Sequence, residues 1–164
     1  MKAIPKEIFN HAKECSEVFE KIETSLAEVY NAKIFDDEIE GSGFCIKIDT
    51  KGIMHEKAGD NKVMIEFSVS DGEYSINAIA HNANSEYIEG PLDNEQLAYF
   101  LTTLTNSQKQ GKRVEIKGKF INFGKKRVFL CNQVELDNGL KESQLTDKQF
   151  KKFKQLCKKH KITP

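Results

Sequence analysis

The sequence predicts a mainly β protein with flanking helices, in which five antiparallel strands form a barrel in the order β-β-β-α-β-β. Two blocks of residues alternate apolar and polar side chains at the period of a strand, and a helical segment separates the blocks. Outside them, apolar residues recur every three or four positions, as in amphipathic helices. The 164 residues therefore divide into an N-terminal amphipathic helix and linker, a barrel, and a C-terminal basic helix, at residues 1–43, 44–137 and 138–164.

The N-terminal helix is predicted over residues 5–33. Its apolar positions repeat with a period of about 3.5 residues, and the positions between them are charged and mainly acidic. The helix can dock this apolar stripe on the barrel or pair with a second copy to form a homodimer. The stripe consists of Ile8, Ala12, Cys15, Phe19, Ile22, Leu26 and Val29.

The first block predicts three consecutive antiparallel strands. The first strand begins at Phe44 and ends near Gly52, where a glycine in an extended segment is typical of a β-bulge. The second covers residues 63–69. Asp71-Gly72 is a two-residue hairpin signal and leads into the third strand, residues 74–80.

The helix between the blocks follows Pro91. Asp93 or Asn94 caps its start, and Gly111 ends it. We expect this helix to bury one apolar face against the barrel. That face contains Leu97, Phe100 or Leu101, and Leu104.

The second block predicts a hairpin, with strands at residues 114–120 and 128–136 and a loop at 122–126. Strand parity places the rings of Phe123 and Phe129 outward, where they can stack on a ligand or pack beneath a flanking helix. The inward positions are Phe120, Val128 and Leu130.

The C-terminal helix begins with a capping box, because Gln149 stands three residues after Thr146. Lysines surround its apolar stripe. They can extend a track for a polyanion, lie on an anionic membrane, stay solvated while the stripe docks on the barrel, or meet the acidic N-terminal helix. The stripe consists of Phe150, Phe153, Leu156 or Cys157, and His160.

The net charge of zero conceals two oppositely charged parts. Residues 1–110 carry 10 basic and 20 acidic groups, whereas residues 111–164 carry 15 basic and 5 acidic groups. This asymmetry indicates either a polyanionic partner for the basic part or a dipolar protein whose ends attract each other. Arg113 and Arg127 are the only arginines, so almost all the basic residues are lysines. Because lysine lacks the planar group that forms two hydrogen bonds to a base, this composition favours contact with a nucleic-acid backbone.

Several classes of function lack their sequence signals. The four cysteines are scattered, with no metal-ligand spacing, and the four histidines lie far apart in no catalytic motif. We therefore expect a non-enzymatic protein without metal or cofactor. The first residues lack the apolar stretch of a signal peptide, and no run is long enough to span a membrane, so we expect a cytoplasmic protein.

The element order resembles the oligonucleotide/oligosaccharide-binding (OB) superfamily over residues 44–136. The segment Gly111-Lys112-Arg113-Val114-Glu115-Ile116-Lys117-Gly118 is similar to the fourth strand of many OB proteins. The resemblance implies a five-stranded Greek-key barrel that binds single-stranded nucleic acid, DNA or RNA, with low sequence specificity. It also implies binding across strands two and three, beside the first–second and fourth–fifth loops.

On this resemblance we expect lysines and one arginine to contact phosphates and two rings to stack on bases. The outward face of strands two and three fits poorly, because it carries Glu66 and Glu73 and no clear aromatic. The alternative is a protein–protein adaptor or accessory subunit that uses the barrel as a scaffold and self-associates through its N-terminal helix. The predicted nucleic-acid-binding residues are Lys117, Lys119, Phe123, Lys125, Lys126, Arg127, Phe129, Lys151, Lys154 and Lys158.

Overall fold

The computed structural model describes five strands and two helices in the predicted order. The residues that the structure describes are 7, 10, 11, 14, 15, 38–53, 62–71, 75–82, 91–123, 126–137 and 145–160. Of these, residues 51–53, 62, 123 and 126 are described by their backbone alone. The elements are β1 (Ile39–Ile53), β2 (Lys62–Ser70), β3 (Ser75–His81), α1 (Asn94–Gln110), β4 (Arg113–Phe123), β5 (Lys126–Leu136) and α2 (Asp147–Lys159).

The five strands close into a barrel in the order β1-β2-β3-β5-β4. Four neighbouring pairs are antiparallel, but β3 and β5 are parallel, with Ala78 opposite Phe129. The prediction of a purely antiparallel barrel is therefore wrong. A closed ring with an odd number of strands cannot alternate direction at every neighbour, so one pair must be parallel. The closed five-stranded barrel is consistent with an OB-like fold.

Strand β1 begins at Ile39, five residues before the predicted start, and is irregular at Ile46 rather than at Gly52. Its pairing with β2 shifts between Cys45 and Lys47, whereas Gly52 pairs regularly with Val63. A bulge adds one residue to one strand and reverses its alternation. Consequently Cys45 contributes to the barrel core, while Ile46 packs in a second apolar cluster outside it.

Helix α1 confirms the predicted signals at both ends. Asp93 forms a capping box with Gln96, and Gly111 terminates the helix in the left-handed region with φ of 62°. Of the two alternatives for the apolar face, Phe100 is buried and Leu101 is 37% exposed. Leu97, Phe100 and Leu104 belong to the same core cluster as the interior of the barrel.

Helix α2 docks on the outside of β1. The ring centroid of Phe44 lies 6.1 Å from that of Phe150 and 6.0 Å from that of Phe153. The predicted capping box between Thr146 and Gln149 is present. Of the predicted apolar stripe, Phe150, Phe153 and Cys157 are buried, whereas His160 ends the helix and is half-buried.

Only five positions of the predicted N-terminal helix are described, and Glu7, Asn10, His11 and Glu14 among them are helical. Cys15 is buried in the cluster that joins α2 to β1. The described part of this segment therefore contacts α2 of the same chain. The rest of the predicted helix over 5–33, and with it the homodimer prediction, lies outside the described residues.

Candidate nucleic-acid interface

The outer face of β2 and β3, where an OB protein is expected to bind its ligand, is largely buried. The sequence correctly places alternate residues of both strands on this face, and Ser68 donates a 2.6 Å hydrogen bond to Oδ1 of Asn77 across it. Glu66 and Asn77 remain partly accessible. A strand of nucleic acid therefore finds little open surface here. The buried residues are Met64, Ser68, Ser70, Ser75, Ile79 and His81.

The ring of Phe129 lies inside the barrel, which makes its predicted role in base stacking wrong. Phe129 is fully buried and pairs directly with Phe120, with ring centroids 5.2 Å apart in an edge-to-face arrangement. Val128 and Leu130, predicted inward, belong instead to a cluster on the outer face with Met64 and other residues. Both faces of β5 are buried over residues 128–131, and all four side chains there are apolar. The sequence therefore does not show which of them point into the barrel.

The rest of the hairpin contributes fewer free charges than predicted. The Arg127 guanidinium lies 3.7 Å from the centroid of Phe120, so one of its faces covers the end of the core while the residue stays exposed. Lys119 is half-buried. Lys125 and the side chains of Phe123 and Lys126 lie outside the described part of the chain.

Lys117 is neutralised by acidic neighbours. Its ammonium group lies 3.0 Å from a carboxylate oxygen of Glu38 and 3.8 Å from one of Glu40. The hydrogen bond to Glu38 is the main cause that raises the pKa of Lys117. Next to this group, Glu115 stands directly opposite Glu135 on the neighbouring strand. This outer face of β1, β4 and β5 is acidic and would repel a phosphate chain.

Five of the six lysines of α2 fall into two sets that share its exposed side. Lys148, Lys151 and Lys158 are exposed and form no ion pair with any residue that the structure describes; we call them the free lysines. Lys148 is missing from the predicted set, although its spacing of three from Lys151 puts both on one helix face. The predicted residue Lys154 is half-buried, with its Nζ atom 5.3 Å from the ring centroid of Phe150.

The other set, the paired lysines Lys152 and Lys159, contacts the N-terminal segment. Lys159 donates hydrogen bonds of 3.1 Å to both carboxylate oxygens of Glu7, and Lys152 lies 3.4 Å from Glu14. These hydrogen bonds are the largest causes that hold the pKa of Glu7 and Glu14 below their usual value. Of the alternatives for the basic helix, the meeting with acidic N-terminal residues is therefore observed within the chain.

The start of α2 and the hairpin lie at opposite ends of β4. The start of α2 is tied to Gly111, whose carbonyl accepts a 3.0 Å hydrogen bond from the amide of Leu145. From there β4 runs for eleven residues to the hairpin. At about 3.3 Å per residue, the hairpin lies about 30 Å further along the strand. Two exposed or half-buried lysines flank Gly111 itself, Lys109 and Lys112, and lie near the start of α2.

The described residues contain no group of three or more His, Cys, Asp and Glu side chains that could hold a metal ion. Within the same ranges, neither helix combines the length and apolar character needed to cross a membrane.

Comparison with known proteins yields structural similarity alone. No family model matches the chain, and no curated protein matches it. Among solved structures, the chain is similar to RecG in its structure bound to a three-way DNA junction, with 18% sequence identity and a TM-score of 0.38. The similarity covers 65% of this chain, and the chain spans 12% of the length of that one.

Proposed function

We propose that this protein binds single-stranded nucleic acid with low sequence specificity, through the free lysines of α2 carried on an OB-like barrel. The observation that carries the proposal is that Lys148, Lys151 and Lys158 are exposed on one helix without an ion pair among the described residues. Lys158 follows Lys148 by ten positions, a rise of about 15 Å along the helix at 1.5 Å per residue. A flexible strand can place several phosphates along that length.

The chemistry of these side chains favours phosphate contact over base reading. An ammonium group is a compact point charge without the planar fork that pairs with guanine, so it attracts phosphates next to any base. The buried Phe129 provides no stacking surface, and β2 and β3 offer little open face. Electrostatic contact of this kind releases counterions from the strand. Three lysine–phosphate contacts to a single strand predict a log–log salt slope of about −2.

The test is fluorescence anisotropy of a labelled oligothymidylate of about 16 nucleotides, measured from low to moderate salt. The triple variant K148Q/K151Q/K158Q should lose most of the affinity and most of the salt slope. K47Q/K117Q/K119Q removes the same charge from the barrel and should retain both. Thermal melts check that each variant is folded. Equal losses in the two variants would contradict a site on α2, and absence of binding by the unchanged chain at low salt would refute the proposal.

A further inference from the structure

The acidic N-terminal residues contact α2 in antiparallel register. Glu7 meets Lys159 near the end of α2, and Glu14 meets Lys152 one heptad earlier in that helix. Glu7 also lies 3.2 Å from Nε2 of His160. The carboxylates thus stand beside the paired lysines, as phosphates of a bound strand would.

The contact combines a buried anchor with exposed charges. His11 is buried and donates a 2.9 Å hydrogen bond from Nε2 to the carbonyl of Gln149, and Cys15 packs in the apolar cluster of α2. By contrast, the side chains of Glu7 and Glu14 are 52% and 62% exposed. Exposed ion pairs are individually weak, and salt screens them, so a polyanion at higher local charge density can replace them.

The paired lysines adjoin the free ones. Lys152 lies four residues from Lys148, and Lys158 and Lys159 lie seven residues after Lys151 and Lys152, so all five lie on the exposed side of one helix. A nucleic-acid strand on the free lysines therefore passes within reach of the paired ones. Such a strand would contact the ammonium groups of the paired lysines only if the carboxylates of Glu7 and Glu14 moved away from them.

We propose that the segment bearing Glu7 and Glu14 is an intramolecular competitor that occupies the paired lysines of α2 and limits access of nucleic acid to them. This inference rests on the proposed function, because it concerns the same helix surface. The competitor is covalently attached, so its high effective concentration offsets the weakness of each ion pair. Its removal should raise the affinity of α2 for a strand and steepen the salt dependence.

The first experiment compares the anisotropy titrations of the full chain and the isosteric variant E7Q/E14Q. We expect E7Q/E14Q to bind the oligothymidylate about 3- to 10-fold more tightly. The control E95Q/E115Q removes the same two charges from exposed positions on α1 and β4 and should change affinity much less. The gain must disappear in E7Q/E14Q/K152Q/K159Q. If it persists there, or if the control gains equally, long-range repulsion explains it and the inference is wrong.

A second measurement follows the segment directly. Cys15 is 3% exposed, so alkylation of its thiol, read by peptide mass spectrometry, reports withdrawal of the segment from α2. The oligothymidylate should increase this alkylation, with Cys45 and Cys131 in the barrel core as internal references. The unchanged chain could bind the oligothymidylate while E7Q/E14Q shows no gain in affinity and Cys15 shows no change in alkylation. That result would overturn the competitor and leave the proposed function intact. Absence of binding by every chain removes both.

Discussion

The ring of Phe129 packs edge-to-face on the ring of Phe120 in the interior of the barrel, with the two centroids 5.2 Å apart. Phe120 is covered on another side by the guanidinium of Arg127. An aromatic residue of a basic hairpin thus stabilises the core, although its sequence context is that of a ligand-stacking ring. Phe129 therefore contributes to the stability of the barrel and presents no exposed ring to a base.

Substitution of Phe129 should therefore affect folding and leave binding unchanged. F129L should lower the free energy of unfolding by about 1.5 kcal/mol, because leucine fills the site incompletely. The folded variant should bind the oligothymidylate with the affinity of the unchanged chain. Urea unfolding and anisotropy measure the two effects. K148Q/K151Q/K158Q should behave in the opposite way, and a loss of affinity in folded F129L would contradict the interior placement.

The glycine at 118 is required by the approach of β5 to β4. A Cβ atom there would lie 2.0 Å from the carbonyl oxygen of Leu130 and 2.9 Å from the Cα of Cys131, where the pairing of the two strands shifts. Backbone atoms cannot move aside without breaking the ladder. G118A should cost about 3 kcal/mol or more by urea unfolding. The exposed Asn122 of the same strand provides the control, since N122A should stay within about 0.5 kcal/mol.

Acidification should weaken the contact between the N-terminal segment and α2. Hydrogen bonds from Lys159 and Lys152 lower the pKa of Glu7 and Glu14 from the usual 4.5. A carboxylate with a lowered pKa in the folded state stabilises that state above its unfolded pKa, and the contribution is lost as pH falls through the folded pKa. The melting temperature of the unchanged chain should exceed that of E7Q/E14Q near neutral pH.

This difference should shrink as the pH falls below 4.5 and vanish under more acidic conditions. Comparing two chains at each pH cancels the titration of their other carboxyl groups. A difference between the unchanged chain and E7Q/E14Q that stays constant down to acidic pH would show that the ion pairs do not contribute.

The four cysteines should report two separate steps of unfolding. Burial raises the pKa of Cys45 and Cys131 to about 12, and both lie in the barrel core. Cys15 and Cys157 lie in the cluster that joins α2 to β1. Because this cluster is separate from the core, we expect it to open at lower denaturant. Alkylation at increasing urea should modify Cys15 and Cys157 first. Simultaneous modification of all four would indicate a single cooperative unit.

Local signals in the sequence determined the elements and their ends. The capping residues Asp93 and Thr146 start α1 and α2, and Gly111 ends α1, because each acts on backbone groups within a few residues. The apolar stripe of α2 likewise follows from spacing alone. Of the predicted binding residues, Lys151 and Lys158 remain exposed and unpaired among the described residues, since surface lysines on an amphipathic helix follow the same spacing.

Only the tertiary structure determined which side chains of the strands face the interior and which charged residues form ion pairs. The bulge at Ile46 and the two buried faces of β5 cannot be inferred from alternation, because alternation indicates parity only where one face is polar and the ladder regular. The pairing of Glu7 with Lys159 joins residues 152 positions apart. The sequence shows that one part of the chain is acidic and the other basic. Which lysines the acidic residues neutralise depends on where the folded backbone brings the two kinds of residue together.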